Sequence, residues 1–466
     1  MITARVFSGK RYAVLGLARS GRATVESLLA SGAEVLAWDA REEARTGLDG
    51  ARFADLLKED LIGFDGVVVS PGVPLNTHPI KPHADRFGVP VIGDVELFAL
   101  ARPELPPHKV VGITGTNGKS TTTALVHHIL KEAGVPTTMG GNIGQPILAQ
   151  KPLPEGGVYV LELSSFQIDL TYSLDCDVAV LLNITPDHLD RYDGDFEAYV
   201  LSKSRLFDMQ SDGRVAVFTG GDMPSRKLAK QLANAPHDPA GLIEGLRRDP
   251  IAVALIGGKS RSTDDAFVYA SEQADWLSLQ GPHNAQNAAA AIAAGHSVGV
   301  SPGQVRQALR TFPGLPHRME RVAEISGVAW VNDSKGTNTA ASAPALAAFD
   351  NIHWIVGGLA KEPGLGECEA ELGHVKAAYT IGEAGPAFAD LLQGRLPVES
   401  CETLDRAVES AARAAVPGDT ILLSPACASF DQFRDFEHRG EVFRELVQRL
   451  ANKAGGSGAG WEGEAA

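Results

Sequence analysis

Residues Gly112–Thr121 constrain the fold of this chain more than any other segment, because they place a turn rich in Gly and Thr between two elements. The apolar pair before it, Val110–Val111, predicts a strand, and the apolar positions within residues 123–129 predict a helix. Such a turn directs backbone N–H groups toward the positive end of a helix, where phosphate binds. Lys119 adds a cation for the outer phosphates, and Ser120 adds a hydroxyl for Mg²⁺. The sequence therefore predicts a nucleoside triphosphate site in the loop formed by Gly115, Thr116, Asn117, Gly118, Lys119, Ser120 and Thr121.

Position 113 departs from the phosphate-loop pattern G-x-x-x-x-G-K-[ST], because it is isoleucine where the pattern has glycine. The alternative interpretation is a loop rich in Gly and Thr that carries a solvated lysine. The order of strand, turn, Gly118–Ser120 and helix favours the phosphate loop over that alternative.

The composition argues against several classes of protein. No apolar run reaches the roughly 18 residues that a membrane helix needs, and Met1–Lys10 lacks the apolar core of a signal peptide. The formal net charge of −15 argues against nonspecific nucleic-acid binding. The four cysteines form no Cys-x-x-Cys motif, which argues against zinc and disulfides and for a reducing compartment. We therefore expect a cytoplasmic protein that has neither nucleic acid nor membrane as a partner.

Strand-like apolar runs alternate with helical patterns along most of the 466 residues, which predicts α/β domains with mostly parallel sheets. Clusters of proline and glycine near residues 103–107 and 313–316 mark two linkers. We expect three domains, at residues 1–104, 105–314 and 315–452. The end of the chain, residues 453–466, is rich in Gly, Ser and Glu and predicts a disordered tail.

Polar residues gather where several predicted strands end. Ser70 follows residues 67–69, Glu162 falls late in residues 158–163, and Ser424 follows residues 420–423. Ligands of open α/β sheets bind outside the carboxyl ends of the strands. We therefore expect these polar groups to line ligand sites.

The first predicted domain opens with a strand, the turn Gly16–Gly21 and a helix, and Asp39 lies about 20 residues further on, where a ribose-binding acid would be. The turn nearly matches the dinucleotide pattern G-x-G-x-x-G, with alanine at the second glycine. It could hold NAD, another diphosphate-linked nucleoside, or no ligand at all, with its glycines serving helix–strand packing. The pattern favours nucleotide binding and leaves the nucleotide open.

Three residues of the second predicted domain suggest chemistry. Glu162 lies between two leucines, where an unpartnered carboxylate is costly to bury, so a metal ion is the expected partner and a salt bridge the alternative. His188 lies in an oxygen-rich loop that suits Mg²⁺, but Mg²⁺ rarely takes histidine, so a hydrogen-bonded loop histidine stays open. Lys203, between two serines, has the pattern of a solvated helix lysine.

Later polar residues have roles that the residues alone leave open. Asn284 and Asn287 share a helix face, where they would bind an adenine edge or cap the helix. Arg318, Lys335 and Lys361 lie beside predicted strand ends or turns, as anion-binding groups or as ordinary surface charges.

Taken together, these segments resemble the Mur ligase family of peptidoglycan synthesis over nearly the whole chain apart from the tail. The phosphate loop is general to the family, whereas Glu162–Gln167, Asp187–Tyr192 and Ser424–Phe433 resemble the members that add D-glutamate. A residue other than glycine at 113 is normal for the family. The resemblance implies an α/β fold with a Rossmann-like N-terminal domain, a central P-loop ATPase-like domain with a mostly parallel sheet, and a Rossmann-like C-terminal domain.

The resemblance also implies the reaction. The enzyme would join D-glutamate to UDP-N-acetylmuramoyl-L-alanine, using ATP, two Mg²⁺ sites and an acyl-phosphate intermediate, and would be a cytoplasmic monomer. The alternatives are another amino-acid-adding Mur ligase, a folylpolyglutamate synthase, an NAD-linked oxidoreductase and a non-catalytic UDP-sugar-binding protein.

Individual residues acquire roles from the same resemblance. Catalytic groups would be Lys119, His188, Lys203 and Lys335, and metal ligands would be Ser120, Glu162, His188 and Lys203, the last as a carbamate formed with CO₂. ATP would contact the phosphate loop together with Asn287, Arg318 and Asp333. The UDP substrate would contact Arg19, Ser20, Asp39, Arg41, Ser70, Pro71, Gly72, Asn142, Ser164 and His188. D-Glutamate would contact Thr337, Lys361, Ser429 and Phe436.

Overall fold

The computed structural model of the protein describes residues 1–233, 253–256 and 272–453. Of the predicted tail, Lys453 ends the last helix, and residues 454–466 lie outside the described residues. The chain divides into two compact units, one drawn from residues 1–271 and 286–309 and the other from residues 272–285 and 310–466. Among the helices that the structure describes, none combines the length and the apolar character of a membrane span.

The first sheet has five parallel strands in the order β3-β2-β1-β4-β5. The strands are β1 (Arg11–Leu15), β2 (Glu34–Trp38), β3 (Arg52–Phe53), β4 (Gly66–Val69) and β5 (Val91–Ile92). The helices of this part are α1 (Arg19–Ala30), α2 (Ile80–Arg86) and α3 (Asp94–Ala101). Strands β2 and β3 lie on one side of β1, and strands β4 and β5 lie on its other side, so the strand order reverses between β1 and β4. Rossmann-like sheets bind ligands at this reversal point. Strand β4 is buried along its whole length, as its unbroken apolar sequence requires.

The second sheet belongs to the same unit and has the order β11-β10-β9-β6-β8-β7, with only the β10–β11 pair antiparallel. Its strands are β6 (His108–Thr114), β7 (Thr137–Gly141), β8 (Gly157–Glu162), β9 (Val178–Leu181), β10 (Val215–Thr219) and β11 (Val253–Ile256). The helices are α4 (Lys119–Glu132), α5 (Ser165–Asp169), α6 (Phe196–Asp208), α7 (Met223–Ala233), α8 (Pro282–Val298) and α9 (Pro302–Thr311). The central strands β6, β8 and β9 are almost entirely buried, as in a parallel sheet covered on both faces.

The third sheet lies in the second unit and has the order β12-β13-β17-β14-β15-β16. Its strands are β12 (Glu320–Ile325), β13 (Val328–Asn332), β14 (Ile352–Gly357), β15 (Val375–Ile381), β16 (Val398–Glu402) and β17 (Thr420–Leu423), and its helices are α10 (Thr339–Leu346), α11 (Gly385–Leu392), α12 (Leu404–Ala414) and α13 (Phe436–Lys453). Only β12 and β13 pair antiparallel, through a two-residue turn in which Ser326 and Gly327 both have positive φ, of 53° and 76°.

The predicted fold class is confirmed, because parallel pairing dominates three sheets flanked by helices. The three sheets fall within the three predicted domains, whose boundaries near residues 104 and 314 stay predictions. Polar residues do occupy the carboxyl ends of strands: Ser70 follows β4, Glu162 ends β8, and Ser424 follows β17. Each sheet therefore presents its chemically active side chains at the edge where α/β proteins bind ligands.

Candidate active site

The phosphate loop connects β6 directly to α4, as its sequence predicts. Gly118 precedes the helix with φ of 84°, a left-handed conformation that favours glycine. A Cβ atom at this position would lie 2.2 Å from Oδ1 of Asn287, so the loop and helix α8 approach each other too closely for a side chain. Asn287, one of the predicted ATP contacts, is thus placed against the phosphate loop within the first unit.

Two lysine side chains converge on one carbonyl oxygen of this loop. The Nζ atoms of Lys119 and Lys203 donate to Gly115 O at 2.8 and 3.0 Å, and Lys119 also donates to Thr116 O at 2.7 Å. The residue pattern alone indicated a solvated Lys203, and that interpretation is wrong, because the side chain is only 1% exposed. Burial, followed by the charge of Lys119, lowers the pKa of Lys203 to about 7. Near neutral pH this lysine is therefore partly an uncharged, nucleophilic amine.

Glu162 ends β8 with its carboxylate buried at 2% exposure. Asn142 Nδ2 donates to Glu162 Oε1 at 2.8 Å, whereas Glu162 Oε2 has no hydrogen-bond partner. A buried carboxylate oxygen without a partner is costly, so the site calls for a cation or a further donor. The predicted substrate contact at 142 and the predicted metal ligand at 162 are thus directly joined.

Of the residues predicted to hold magnesium, Ser120 and Glu162 present the oxygen atoms that this ion prefers, whereas His188 and unmodified Lys203 present nitrogen. Among the described residues, no group of three or more His, Cys, Asp and Glu side chains is arranged to hold a metal. The predicted ligands instead mix one carboxylate, Glu162, with the buried hydroxyl of Ser120 and with His188 and Lys203. Mg²⁺ usually takes one or two carboxylates and completes its shell with water and substrate phosphates, so a small protein contribution suits it.

His188 lies at the start of a strained loop. Its φ is 50°, and Asp193, at the far end of the short 3₁₀ turn Leu189–Tyr192, has φ of 53°. The ring of His188 packs edge-on against Phe166, with centroids 5.4 Å apart, and its Nε2 lies 3.6 Å from Asp187 Oδ2. Non-glycine residues with positive φ concentrate at functional sites, because the surrounding structure must hold them in place.

Several of the predicted UDP-substrate residues lie at the reversal point of the first sheet, whereas Asn142, Ser164 and His188 follow strands of the second sheet. Ser70 Oγ donates to Gly16 O at 2.8 Å, which joins the turn after β1 to the turn after β4. A Cβ at Gly21 would lie 1.8 Å from Gly16 O, so glycine is required for α1 to start this close to the turn. Ser20, Ser70 and Asp94 are among the residues that line one small pocket at this turn.

Asp39 follows β2 and organises the same turn. Its Oδ2 accepts from the Leu17 N–H at 2.7 Å, and its Oδ1 accepts from Arg41 N and Nε at 3.0 and 3.3 Å. Burial raises the pKa of Asp39, but these hydrogen bonds outweigh it and hold the pKa below the usual value. Asp39 is therefore an anion whose hydrogen bonds shape the turn after β1.

Two further residues predicted to contact the UDP substrate, Arg19 and Ser164, make different kinds of contact in the structure. Arg19 reaches from α1 to the second sheet, where Nη2 donates to Gly144 O at 3.0 Å, two residues from Asn142. Ser164 instead caps α5, with its Oγ accepting from Gln167 N at 3.3 Å and donating to Gln167 Oε1 at 3.0 Å. The Ser164 hydroxyl thus already has a local structural task.

In the second unit, Asp333 lies fully buried after β13. Its Oδ2 accepts from Ser424 Oγ at 2.7 Å and its Oδ1 from Met319 N at 3.2 Å. Burial raises the pKa of Asp333 to about 7. The neighbouring Arg318 sits between two left-handed residues, His317 and Met319, with φ of 61° and 47°. Asp333 and the Arg318 turn, both predicted ATP contacts, are therefore bonded together.

The predicted D-glutamate residues of this unit form two sets of contacts. Lys361 Nζ lies 3.4 Å from Thr337 Oγ1, and Lys335 Nζ lies 3.8 Å from the ring centroid of Phe436. Ser429 Oγ is buried without a hydrogen-bond partner. A cation, a hydroxyl and an unused buried hydroxyl are the groups that a dicarboxylate ligand needs.

Arg439 is a residue that the sequence analysis missed. It is 1% exposed in α13, and its guanidinium donates to Ser334 Oγ, Ser334 O and Cys427 O at 3.0, 2.9 and 3.1 Å. It thereby ties the loops that carry Lys335 and Ser429. An arginine in an amphipathic helix gives no local sequence signal for such a role.

The sequence is similar to that of proteins of known family. The family model of the Mur ligase middle domain matches residues 113–295, and that of the Mur ligase glutamate ligase domain matches residues 317–427. A relative from Novosphingobium aromaticivorans, named UDP-N-acetylmuramoylalanine–D-glutamate ligase, is 59% identical over 451 residues, which cover 97% of each chain. A protein of the same name from Zymomonas mobilis is 52% identical over 465 residues, covering 97% of this chain and all of that one.

Two solved structures show a similar fold at low sequence identity. The UDP-N-acetylmuramate-alanine ligase MurC of Thermotoga maritima has a TM-score of 0.54 at 18% identity, covering 95% of this chain and 99% of that chain. The MurF ligase of the same organism has a TM-score of 0.53 at 16% identity, covering 95% and 96%. Together with the two family models and the relatives that match over nearly the whole chain, this shows that the chain belongs to the Mur ligase family.

Proposed function

We propose that this protein is an ATP-dependent ligase that forms the amide bond between UDP-N-acetylmuramoyl-L-alanine and D-glutamate, with ADP and phosphate as the other products. The observation that carries the proposal is the 59% identity, over nearly the full length, to a ligase of that name. The phosphate loop, the buried Glu162 and the Lys361–Thr337 pair support the proposal, because they would supply the cations and the metal ligand that such a reaction needs.

A free carboxylate is a poor acylating agent, so the reaction must first activate the terminal carboxylate of the UDP substrate. Transfer of the γ-phosphoryl group of ATP converts it to an acyl phosphate, which has phosphate as a good leaving group. The amine of D-glutamate then attacks the acyl carbon, and the tetrahedral intermediate expels phosphate. Both steps bring negatively charged groups close together, so the protein must supply positive charges and fixed hydrogen-bond donors.

Lys119 is the first of these positive charges. Its ammonium folds back on the Gly115 and Thr116 carbonyl oxygens, within reach of the loop that would hold the phosphates. Asn287 and the backbone N–H groups at the start of α4 would complete the nucleotide-binding part of the site in this unit. Arg318, Asp333 and Lys335 of the second unit would provide the remaining ATP and phosphate contacts.

Magnesium would be held by Ser120 and Glu162 at one site and by His188 and a modified Lys203 at the other. When bound, it offsets the charge of the phosphates and of the attacking carboxylate. Glu162 Oε2, buried without a partner, supports its assignment as a ligand. Asn142 holds the other carboxylate oxygen, so the free oxygen is fixed in orientation.

Lys203 would act as a carbamate. Its uncharged amine adds to CO₂ and releases one proton, which gives an –NH–COO⁻ group, so the side chain carries a negative charge in place of the positive charge of its ammonium form. The pKa of about 7 makes the amine available for this addition. The modification would also remove the repulsion between the ammonium groups of Lys203 and Lys119.

The UDP end of the substrate would lie at the reversal point of the first sheet. Arg19, Ser20, Asp39, Arg41, Ser70, Pro71 and Gly72 would contact it there, with Asn142, Ser164 and His188 along the sugar and peptide part. D-Glutamate would contact Thr337, Lys361, Ser429 and Phe436. The reaction is a cytoplasmic step of peptidoglycan precursor synthesis, and we propose a monomeric enzyme.

The test is ADP release by the purified protein with omission of each substrate in turn. We expect multiple-turnover ADP release only when UDP-N-acetylmuramoyl-L-alanine, D-glutamate and Mg²⁺ are all present, with one UDP-N-acetylmuramoyl-L-alanyl-D-glutamate formed per ADP by mass spectrometry. Multiple-turnover ADP release with UDP-N-acetylmuramate and L-alanine, or equally fast turnover with no amino acid, would overturn the proposal.

A further inference from the structure

A pair of hydrogen-bonded contacts joins the loop after β4 to the loop that carries His188. Arg191 donates from Nη1 to Val73 O at 3.0 Å and from Nη2 to Gly72 O at 3.2 Å. In the opposite direction, Asn76 Nδ2 donates to Asp190 O at 2.7 Å. All of these residues lie in the first unit, and the bonds connect positions more than 110 residues apart in the chain. We call this set of contacts the Arg191 bridge.

On one side, the Arg191 bridge reaches the proposed UDP-substrate site. Gly72 belongs to the turn Ser70–Gly72, and Ser70 Oγ bonds to Gly16 O at 2.8 Å. Displacement of the loop after β4 would therefore move the turn that holds the diphosphate end of the substrate.

On the other side, the Arg191 bridge reaches the catalytic loop. The Arg191 guanidinium carbon lies 4.6 Å above the ring centroid of Phe166, and the same ring packs against His188 and stacks with Tyr192. Tyr192 Oη lies 2.9 Å from Asp169 Oδ2 and 3.2 Å from Ser202 Oγ, next to Lys203 in the chain. The loop is strained at both ends by the positive φ values of His188 and Asp193, so its position depends on such outside contacts.

We infer that Arg191 is a positioning residue that fixes the position of the UDP-substrate turn relative to the loop of His188, and that Asn76 acts with it. The inference rests on the proposed function, which places the diphosphate end of the substrate at one loop and the reacting carboxylate near the other. A planar guanidinium with two bonds to consecutive carbonyls fixes both distance and rotation, which a lysine ammonium would not do. If the two loops can shift relative to each other, substrate binding should stay intact and the chemical step should slow, because small misplacements of reacting groups lower the rate strongly.

The experiment compares Arg191→Ala, Asn76→Ala and their double variant with wild type. We expect kcat to fall at least about 10-fold in Arg191→Ala and less in Asn76→Ala, with the Kd for UDP-N-acetylmuramoyl-L-alanine within about threefold of wild type. The fold decrease of kcat in the double variant should be smaller than the product of the two single decreases, because both side chains hold the same two loops together. Arg191→Lys should recover only part of the lost rate.

Arg11→Ala is the matched control, because Arg11 also donates to a carbonyl, Ile62 O at 3.3 Å, and lies 4.4 Å above the ring of Phe64. It stands at the amino end of β1, opposite the ligand edge. We expect it to lower the Tm about as much as Arg191→Ala while leaving kcat unchanged. Equal losses of kcat in Arg11→Ala and Arg191→Ala would show a purely structural role, and a raised Kd with an unchanged kcat would show a binding role; either result overturns the inference.

Hydrogen exchange separates this inference from the proposed function. In wild type, addition of UDP-N-acetylmuramoyl-L-alanine should slow amide exchange in residues 187–195, and in Arg191→Ala this protection should be lost while that of residues 16–21 remains. Retained protection of residues 187–195 in the variant would overturn the inference even if the wild type showed no ligase activity.

Discussion

Lys119 and Lys203 donate to the same carbonyl oxygen, that of Gly115, at 2.8 and 3.0 Å. Burial of Lys203, followed by repulsion from the Lys119 ammonium, lowers the pKa of Lys203 to about 7. This relationship makes different predictions for the two lysines, because one is expected to stay cationic and the other to become an anion.

Lys203→Ala should lose most ligase activity, and a short added carboxylic acid such as formate or acetate should restore part of it by replacing the carbamate. Lys109→Ala is the matched control, since Lys109 also donates to a carbonyl oxygen, Val298 O at 3.2 Å, but is exposed. Wild-type protein equilibrated with ¹³C-bicarbonate should show one carbamate carbon signal that is absent in Lys203→Ala. Full activity after complete removal of CO₂ would contradict the carbamate assignment.

Lys119→Ala should reduce kcat by on the order of 10²-fold or more while leaving the Tm close to that of wild type, because the lysine is expected to contact transferring phosphates. Lys131→Ala, at the other end of the same helix, controls for the loss of one positive charge from α4. Turnover of the Lys119 variant within about threefold of wild type would be incompatible with the ATP site proposed at this loop.

Asp333→Asn should change how stability depends on pH. Burial raises the pKa of Asp333 from 3.8 to about 7, so the folded protein favours the protonated form. The stability associated with that proton is complete below about pH 4 and is lost as pH rises through 7. The Tm of Asp333→Asn relative to wild type should therefore increase between pH 5 and pH 8, whereas the exposed Asp85→Asn should show no such trend. A constant difference in Tm would show that Asp333 does not titrate in this range.

The amino-acid choice tests the assignments in the second unit. We expect D-glutamate to exceed L-glutamate, L-lysine and meso-diaminopimelate by at least roughly 10²-fold in kcat/KM, because a basic side chain would meet Lys361 and L-glutamate would misplace its amine. Lys361→Ala should raise the KM for D-glutamate far more than that for ATP, with Arg449→Ala, whose partner on α13 is Glu445, as the control. Equal use of L-lysine would leave only the broader ligase assignment standing.

Residues with a local signal were predictable from the sequence. The phosphate loop is a short residue pattern between a predicted strand and a predicted helix. Glu162 stands out as a carboxylate within an apolar strand. Lys203 was not predictable from its neighbours, because its burial depends on the packing of α6 beside the phosphate loop. Arg439 bonds to residues 105 and 12 positions away, and Arg191 to residues 118 and 119 positions away. Contacts of that separation are set by the completed sheets, and no spacing within the chain reports them.

The close approach of Gly118 to Asn287 has a consequence for how this site can change. Any side chain at 118 would have to displace Asn287 and would also adopt an unfavourable φ of 84°. Shortening residue 287 relieves the first cost and leaves the second, so position 118 does not accept a side chain without strain even after Asn287 is replaced. An ATP-competitive inhibitor that contacts the backbone at Gly118 would therefore meet a position that few single substitutions can alter without straining the loop.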